Sequence, residues 1–467
     1  MAVQFASGVD AFRERFAGDV LVPGDPGYDD ARSVWNGDID RRPAVIARCF
    51  TTEQVAAAVE FARQEGLEIA VRGGGHSFAG FSVCDGGLMI NLSEMRDVTV
   101  DEDARRARCG GGATWADVDA ATQAHGLAVP GGIVSHTGIA GLTLGGGMGW
   151  LTRRAGLSCD NLVSADMVTA DGRILTASAE SNPDLFWAIR GGGGNFGIVT
   201  SFEYRLHEAG PLAQLGLFFW GAGQGAEALA FSRDFVETLP DDMGAILAGL
   251  CAPPAPFVPE EFHLVSGWAL MVVGWGSAEE HEKVVNPIRD GLPPLFEFVT
   301  PIPHTELQKM FDEAYAWGTL AYEKGLYLDE LADEAIAVMA ERLPQMGSPL
   351  SFMPMLPLSG AYARVGDDET AFGGSRTPCW AVNIAAAAQT SDVLATDRDW
   401  VRSFWEALRP YARDSGGYVN FMSEYDPDRV RSAYGRRYER LAQIKAAYDP
   451  DNLFHLNANI KPAAPTR

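Results

Sequence analysis

The stretch RGGGHSFAG, Arg72–Gly80, places four glycines and one histidine directly after the apolar run Leu67–Val71. That run reads as a buried strand, so the glycines fall where a strand breaks into a loop. Consecutive glycines let neighbouring backbone N–H groups converge on an anion and let a ligand approach the main chain closely. The same texture returns twice further along, as GIAGLTLGGGMG at Gly138–Gly149 and as RGGGGNFG at Arg190–Gly197. A single run of this kind reads as a set of tight turns. Three between Arg72 and Gly197 point instead to a cradle for a long dinucleotide. Gly192, Gly194 and Gly197 also fit the spacing G-x-G-x-x-G, which needs the order strand, glycines, helix. Here a helix (Asp184–Ile189) precedes and a strand-like segment (Ile198–Leu206) follows, so the nucleotide-binding βαβ reading is excluded.

Around these loops the chain is an ordinary globular one of 467 residues, long enough for two or three domains. Hydrophobic residues make up 47% and charged residues 21%, which excludes a disordered or fibrous chain. A formal charge of −25 disfavours nucleic acid and anionic membrane surfaces as partners. Cys49, Cys84, Cys109, Cys159, Cys251 and Cys379 form no CxxC pair, so neither a disulfide scaffold nor a thiolate zinc site is expected. The histidines form no HxxH or HxH, and no metal site is expected. The first residues, MAVQFASGVDAFRERF, lack the pattern of a signal peptide, and no run approaches the ~18 apolar residues of a membrane span. The expected location is cytoplasmic.

Short helices and strands alternate through the first half. Thr51 and Gln54 make a capping box before Val55–Gln64, whose apolar residues fall on one face, and Gly66 stops that helix. Past His207–Pro211 the texture changes to longer apolar strands, such as Leu215–Trp220 and Val265–Trp275. Between them lie amphipathic helices at Ala226–Leu239, Ala332–Leu343 and Asp397–Leu408. This middle part reads as an antiparallel sheet backed by helices. The last part holds a strand-like Gly417–Met422 and two helices, the second ending near Tyr448.

His76 has no second ligand-type residue nearby; a neutral imidazole on a glycine loop can serve as nucleophile or proton carrier. No GxSxG elbow occurs, so a serine hydrolase is not indicated. In the expected strand Gly417–Met422, Tyr418 and Asn420 point the same way, and a phenol beside an amide can take part in proton transfer.

These segments, taken together and in order, resemble the FAD-linked oxidases of the vanillyl-alcohol oxidase and p-cresol methylhydroxylase superfamily. The closer likeness is to the berberine-bridge-enzyme-like branch, and within it to bacterial members of secondary-metabolite pathways. The resemblance runs through Trp35-Asn36, Arg72–Ser77, Ser135–Trp150, Gly156–Asn161, Asp184–Thr200, Gly416–Phe421 and Tyr448–Asn457. It implies an α+β fold: a two-lobed PCMH-type FAD-binding domain over residues 1–206, a substrate domain over 207–409, and a C-terminal segment, 410–467, returning to the FAD domain. It further implies that His76 carries the flavin through its 8α-methyl carbon. Arg72, Gly73, Gly74, Gly75, Ser77 and Gly80 would wrap the pyrophosphate. Ser135, His136, Gly138, Gly141, Leu142, Gly145, Gly146 and Gly147 would run along the flavin. Gly156, Asp160, Asn161, Ile198 and Val199 would line the ribityl or adenine side, with Trp150, Tyr418 and Asn420 near the ring.

The chain departs from the family at two positions. Doubly anchored relatives carry a Cys four residues before the glycine matched by Gly138; here that position is Val134, so one covalent link is expected. Relatives often read YxNY near the C-terminus, where this chain ends the motif in Phe421. Tyr418, Glu424 and His136 are therefore the candidates for proton transfer. The expected activity is hydride removal from a C–H beside a hydroxyl or amine of a small, cyclic metabolite to flavin N5, with O2 as acceptor giving H2O2. An oxidative cyclase or oxygenating enzyme, a dehydrogenase with another acceptor, and a binding protein that has lost turnover are the alternatives. Substrate identity and oligomeric state are not legible.

Overall fold

The computed structural model describes residues 2–413 and 416–464. Its first lobe is a four-stranded sheet in the order Asp19–Leu21, Val45–Arg48, Leu88–Asn91, Ile69–Arg72. The last three strands run parallel, and Asp19–Leu21 pairs antiparallel at the edge. Helix Thr52–Glu65 carries the chain from Val45–Arg48 across to Ile69–Arg72, and Leu88–Asn91 then inserts between those two strands, parallel to both. Thr51 and Gln54 close the capping box in both directions, and Gly66 ends the helix at φ 65°. Val55, Ala58, Val59, Phe61 and Ala62 are its buried residues, the face the sequence pattern singles out.

The second lobe is a five-stranded antiparallel sheet, Val98–Asp101, Arg106–Gly110, Ile198–Arg205, Leu162–Val168, Ile174–Ser178. Gly193–Asn195 forms a single 3-10 turn between helix Pro183–Ile189 and strand Ile198–Arg205, so the G-x-G-x-x-G glycines do sit in a helix-to-strand loop.

The third sheet has seven antiparallel strands. They run Phe296–Pro303, Leu212–Gly221, Ser266–Gly274, Gly244–Cys251, Met353–Leu358, Cys379–Ala388, Leu320–Leu328. Helices Gly225–Thr238, Asp333–Arg342 and Ser391–Leu408 cover one face, joined to it by a cluster that includes Trp268, Leu229, Ile336, Val382 and Phe404. Side chains alternate along a strand. Tyr322, Leu326, Val382 and Ile384 therefore join the helix-side core, while Tyr327, Leu356 and Ala381 join the core shared with the lobes. Glu323, Gly325 and Asn383 share the parity of that second face.

One expected element is absent. Gly417–Met422 is not a strand: Gly416 and Gly417 take φ of 71° and 92°, and Val419–Phe421 coils into a 3-10 turn closed by Phe421 N–H to Tyr418 O. Left-handed backbone at two successive residues ends any ladder there. A lone bridge, Lys324 to Met422, is what remains of the pairing.

Candidate active site

Between the lobes and the third sheet lies a cavity of about 340 Å³. Chain-distant pieces wall it: the loop Gly73–Phe78, the short helix Ile139–Gly145 with the loop before it, the loop around Gly193–Val199, the third sheet, and segments near Val419–Tyr425 and Phe454–Ala458.

The glycine side has the features a dinucleotide requires. The backbone N–H groups of Gly74, Gly75, His76 and Ser77 donate to no protein acceptor among the described residues. Gly74 and Gly138 pack main chain to main chain; a Cβ on Gly74 would come 2.3 Å from Gly138 N. Gly141 and Gly194 also line the cavity, and a Cβ at either meets nothing within 4 Å. These unpartnered donors and glycine faces fit the phosphates and backbone-hugging chain of FAD.

His76 lies on this wall. Its Nε2 is 2.7 Å from His136 Nδ1, and Thr137 Oγ1 is 3.4 Å from its Nδ1. Trp35 stacks on the imidazole at 5.3 Å and Trp317 meets it edge-on at 6.0 Å. Burial, with His136 beside it, holds the ring well below the usual histidine range, so it is neutral with a lone pair to share. Burial also lowers His136, against the pull of Asp312. Asp312, between helix His304–Gln308 and strand Leu320–Leu328, fixes Ser135, accepting from its N–H (2.8 Å) and Oγ (2.5 Å). Val134 lines the cavity, and no cysteine is among the lining residues.

Of the residues singled out by sequence, Gly73, Gly74, Gly75, His76, Ser77, Gly138, Gly141, Leu142, Ile198, Val199 and Asn420 line this cavity. The others stand behind it. Arg72 donates to Ala31 O and lies over Trp317. The approach of Asn420, Phe372 and Ser158 keeps Gly145, Gly146 and Gly147 bare. Trp150 stacks on Phe311. Asn161 donates to Ala155 O and Leu157 O. Gly80 accepts from Arg41. Asp160, expected beside the cofactor, spends both carboxylate oxygens on Arg376 at 2.8 and 2.6 Å, with Gly156 packed against it.

The proton-transfer candidates separate as clearly. Glu424 does not line the cavity; it pairs with Arg402 at 2.7 Å and Lys324 at 3.5 Å, its side chain 44% exposed. Tyr418 is buried behind the wall, its hydroxyl accepting from Gly147 N–H and Asn420 Nδ2, both at 2.8 Å. Burial pushes that phenol's pKa up, outweighing both hydrogen bonds. Tyr418 and Asn420 do meet, through the 3-10 turn rather than by strand alternation.

Sequence reasoning missed Glu323. It is 1% exposed and lines the cavity, the sole carboxylate among the lining residues, which include no Lys or Arg. Asn383 Nδ2 donates to its Oε2 at 2.7 Å. Oε1 has no partner, and neither has Asn383 Oδ1. Burial pushes the carboxyl up to about 8, with the Asn383 hydrogen bond working against the shift. The available signal was one acidic residue within LAYEKGLYL, Leu320–Leu328.

The comparisons with known proteins agree with this geometry. A family model described as an FAD binding domain matches residues 43–178, and one described as berberine and berberine like matches residues 417–461. (R)-6-hydroxynicotine oxidase of Paenarthrobacter nicotinovorans is 32% identical over 460 residues, 95% of this chain and 97% of that protein. An uncharacterized FAD-linked oxidoreductase of Bacillus subtilis (strain 168) is 30% identical, covering 96% and 98%. Among solved structures, 6-hydroxy-D-nicotine oxidase from Arthrobacter nicotinovorans superposes with a TM-score of 0.85 at 27% identity, covering 96% of this chain and 98% of that one. A glucooligosaccharide oxidase from Acremonium strictum, whose FAD is described as 6-S-cysteinyl, 8α-N1-histidyl, gives 0.85 at 25% identity, covering 98% and 100%. The chain belongs to the berberine-bridge-enzyme-like family of FAD-linked oxidoreductases.

Proposed function

We propose that the protein is an oxidase that holds FAD through His76 alone and oxidises a small ring-bearing substrate at a C–H beside nitrogen or oxygen, with Glu323 as the proton acceptor. The observation that carries this reading is Glu323 itself, a buried carboxyl with a free oxygen on the wall opposite the glycine loops. Bound in the cavity, FAD would supply the two-electron acceptor, and dioxygen would take the electrons on. Glu323 Oε1 takes the proton from the substrate heteroatom, while the Asn383 hydrogen bond fixes the carboxyl's orientation. Phe81, Leu356, Met422 and Tyr425 give the pocket apolar walls that exclude water and suit a ring. Gly74, Gly75 and Ser77 offer the N–H groups for the pyrophosphate. Neutral His76 offers the lone pair that attachment requires, and Val134 leaves no thiol for a second link.

The enzyme without substrate provides the test. Photoreduced under nitrogen and mixed with aerated buffer, it should recover its flavin absorbance while forming hydrogen peroxide. Slow recovery in air but rapid recovery with ferricyanide would make it a dehydrogenase. Acid-precipitated protein should keep its yellow colour in the pellet, and His76→Ala should release all of it to the supernatant. Colour retained by that variant would move the attachment elsewhere. Tyr418→Phe should slow flavin reduction less than about 10-fold, because the hydroxyl accepts hydrogen bonds behind the wall and is too weak an acid to be the base. A loss of ~10² or more would return the role to Tyr418.

A further inference from the structure

The sheet wall of the cavity has a polar composition that selects among the substrates the proposed function leaves open. We infer that this wall is built for an amine that binds as its ammonium ion with an apolar ring behind it, in preference to an alcohol or a carboxylate. The inference rests on the cavity being the substrate site, as argued above.

The first argument is a count of hydrogen-bonding atoms. Glu323 Oε1 and Asn383 Oδ1 are both buried without a partner, on side chains 1% and 2% exposed. The amide's orientation is set, because its Nδ2 donates to Glu323 Oε2. Both free atoms are acceptors once the carboxyl is ionised. A ligand that satisfies the two must bring two donor hydrogens. A hydroxyl brings one, whereas a primary or secondary ammonium brings at least two. An orphaned buried acceptor is costly, so filling both is worth more than filling either.

The second argument is charge. With no Lys or Arg among the lining residues, a carboxylate substrate would meet Glu323 without compensation. Lys324, the next residue, is on the other face of the strand, over Trp405 at 4.5 Å and paired with Glu424. Among the lining residues the chain therefore supplies no cation to the buried carboxyl. Near Glu323 the phenols of Tyr315, Tyr418 and Tyr425 are kept protonated by burial, as is that of Tyr434 on the same cavity, and burial keeps His76 there neutral. The net charge of −25 favours the arrival of a cation from solution. Phe81 and Tyr425, which line the same cavity, pack ring against ring at 4.8 Å, a surface for an aromatic or alicyclic group.

Three probes of one shape test the inference: 2-phenylpyrrolidine, a cation at neutral pH; 2-phenyltetrahydrofuran, without a donor; and 2-phenylcyclopentanol, with one. Each is titrated calorimetrically into dithionite-reduced holoenzyme under nitrogen, where turnover cannot intervene. The amine should bind at least 10-fold more tightly than either neutral probe. Its affinity should rise with pH and level off above about 8, as Glu323 gives up its proton, while the ether's affinity stays flat. Glu323→Gln should erase the amine's advantage and leave ether binding within about twofold. Equal or tighter binding of the ether or the alcohol overturns the inference, as does an advantage that survives in Glu323→Gln. The pH series on the unmodified protein decides the matter even if the variant does not fold. If the alcohol wins and also bleaches the oxidised flavin under nitrogen, the amine preference falls while the oxidase reading stands. Flavin reduction left unchanged in Glu323→Gln would bring down that reading instead.

Discussion

Glu323→Gln is expected to slow anaerobic flavin reduction by ~10²–10⁴-fold and, in the same protein, to raise stability at alkaline pH. The two effects share a cause. Glu323's carboxyl is pushed up to about 8 in the folded chain, against ~4.3 for an unperturbed glutamate. Between those values the folded state binds a proton that the unfolded state has released. The resulting stability is fully present at the acid end and is lost as pH rises through about 8. Glutamine never ionises, so the variant should escape a loss on the order of a few kcal/mol. Melting temperatures of both proteins from pH 5 to pH 9, without substrate, provide the check. Parallel curves would show that the carboxyl does not ionise unpartnered and would remove it as the base.

Glu323 also marks where the sequence stops being readable. Helix Thr52–Glu65 was legible because its caps and apolar stripe lie within the helix and the residues next to it. The glycine loops were legible for the same reason, since the backbone freedom they grant is a property of the residues themselves. The burial of Glu323 depends on a strand register with Asn383 and on a wall contributed by residues near Val419–Tyr425, and no local pattern encodes either. The Tyr418 segment misled because VNFM has the composition of a strand, and the outcome turned on the two glycines before it. Asp160 lies in Gly156–Asn161, one of the segments that carry the resemblance, but its partner Arg376 is 216 positions away.

That pair gives the second large effect. Arg376 is 4% exposed; besides Asp160 it donates to Thr370 Oγ1, and it lies over the rings of Tyr362 and Phe372 at 5.2 and 5.1 Å. Arg376→Ala strands the Asp160 carboxylate in a dry site and is expected to cost roughly 3–5 kcal/mol. The double variant Arg376→Met with Asp160→Leu should recover most of that loss, because a buried ion pair and a well-packed apolar pair are nearly equivalent in free energy. Urea midpoints of the three proteins measure both terms. A single variant that loses less than about 1 kcal/mol would mean water reaches the pair and screens it.

Lys445, fully buried, donates to Asp449, Asn195 O and Phe454 O, fastening helix Tyr438–Tyr448 to the third glycine loop. On the ribosome, therefore, all three glycine loops exist once residue 197 has emerged, but the walls near 419–425 and 454–458 come only after more than two hundred further residues are made. The site is complete only when nearly the whole chain has been made, so FAD, which stabilises the state that binds it, can add its full binding energy to the fold only after that point.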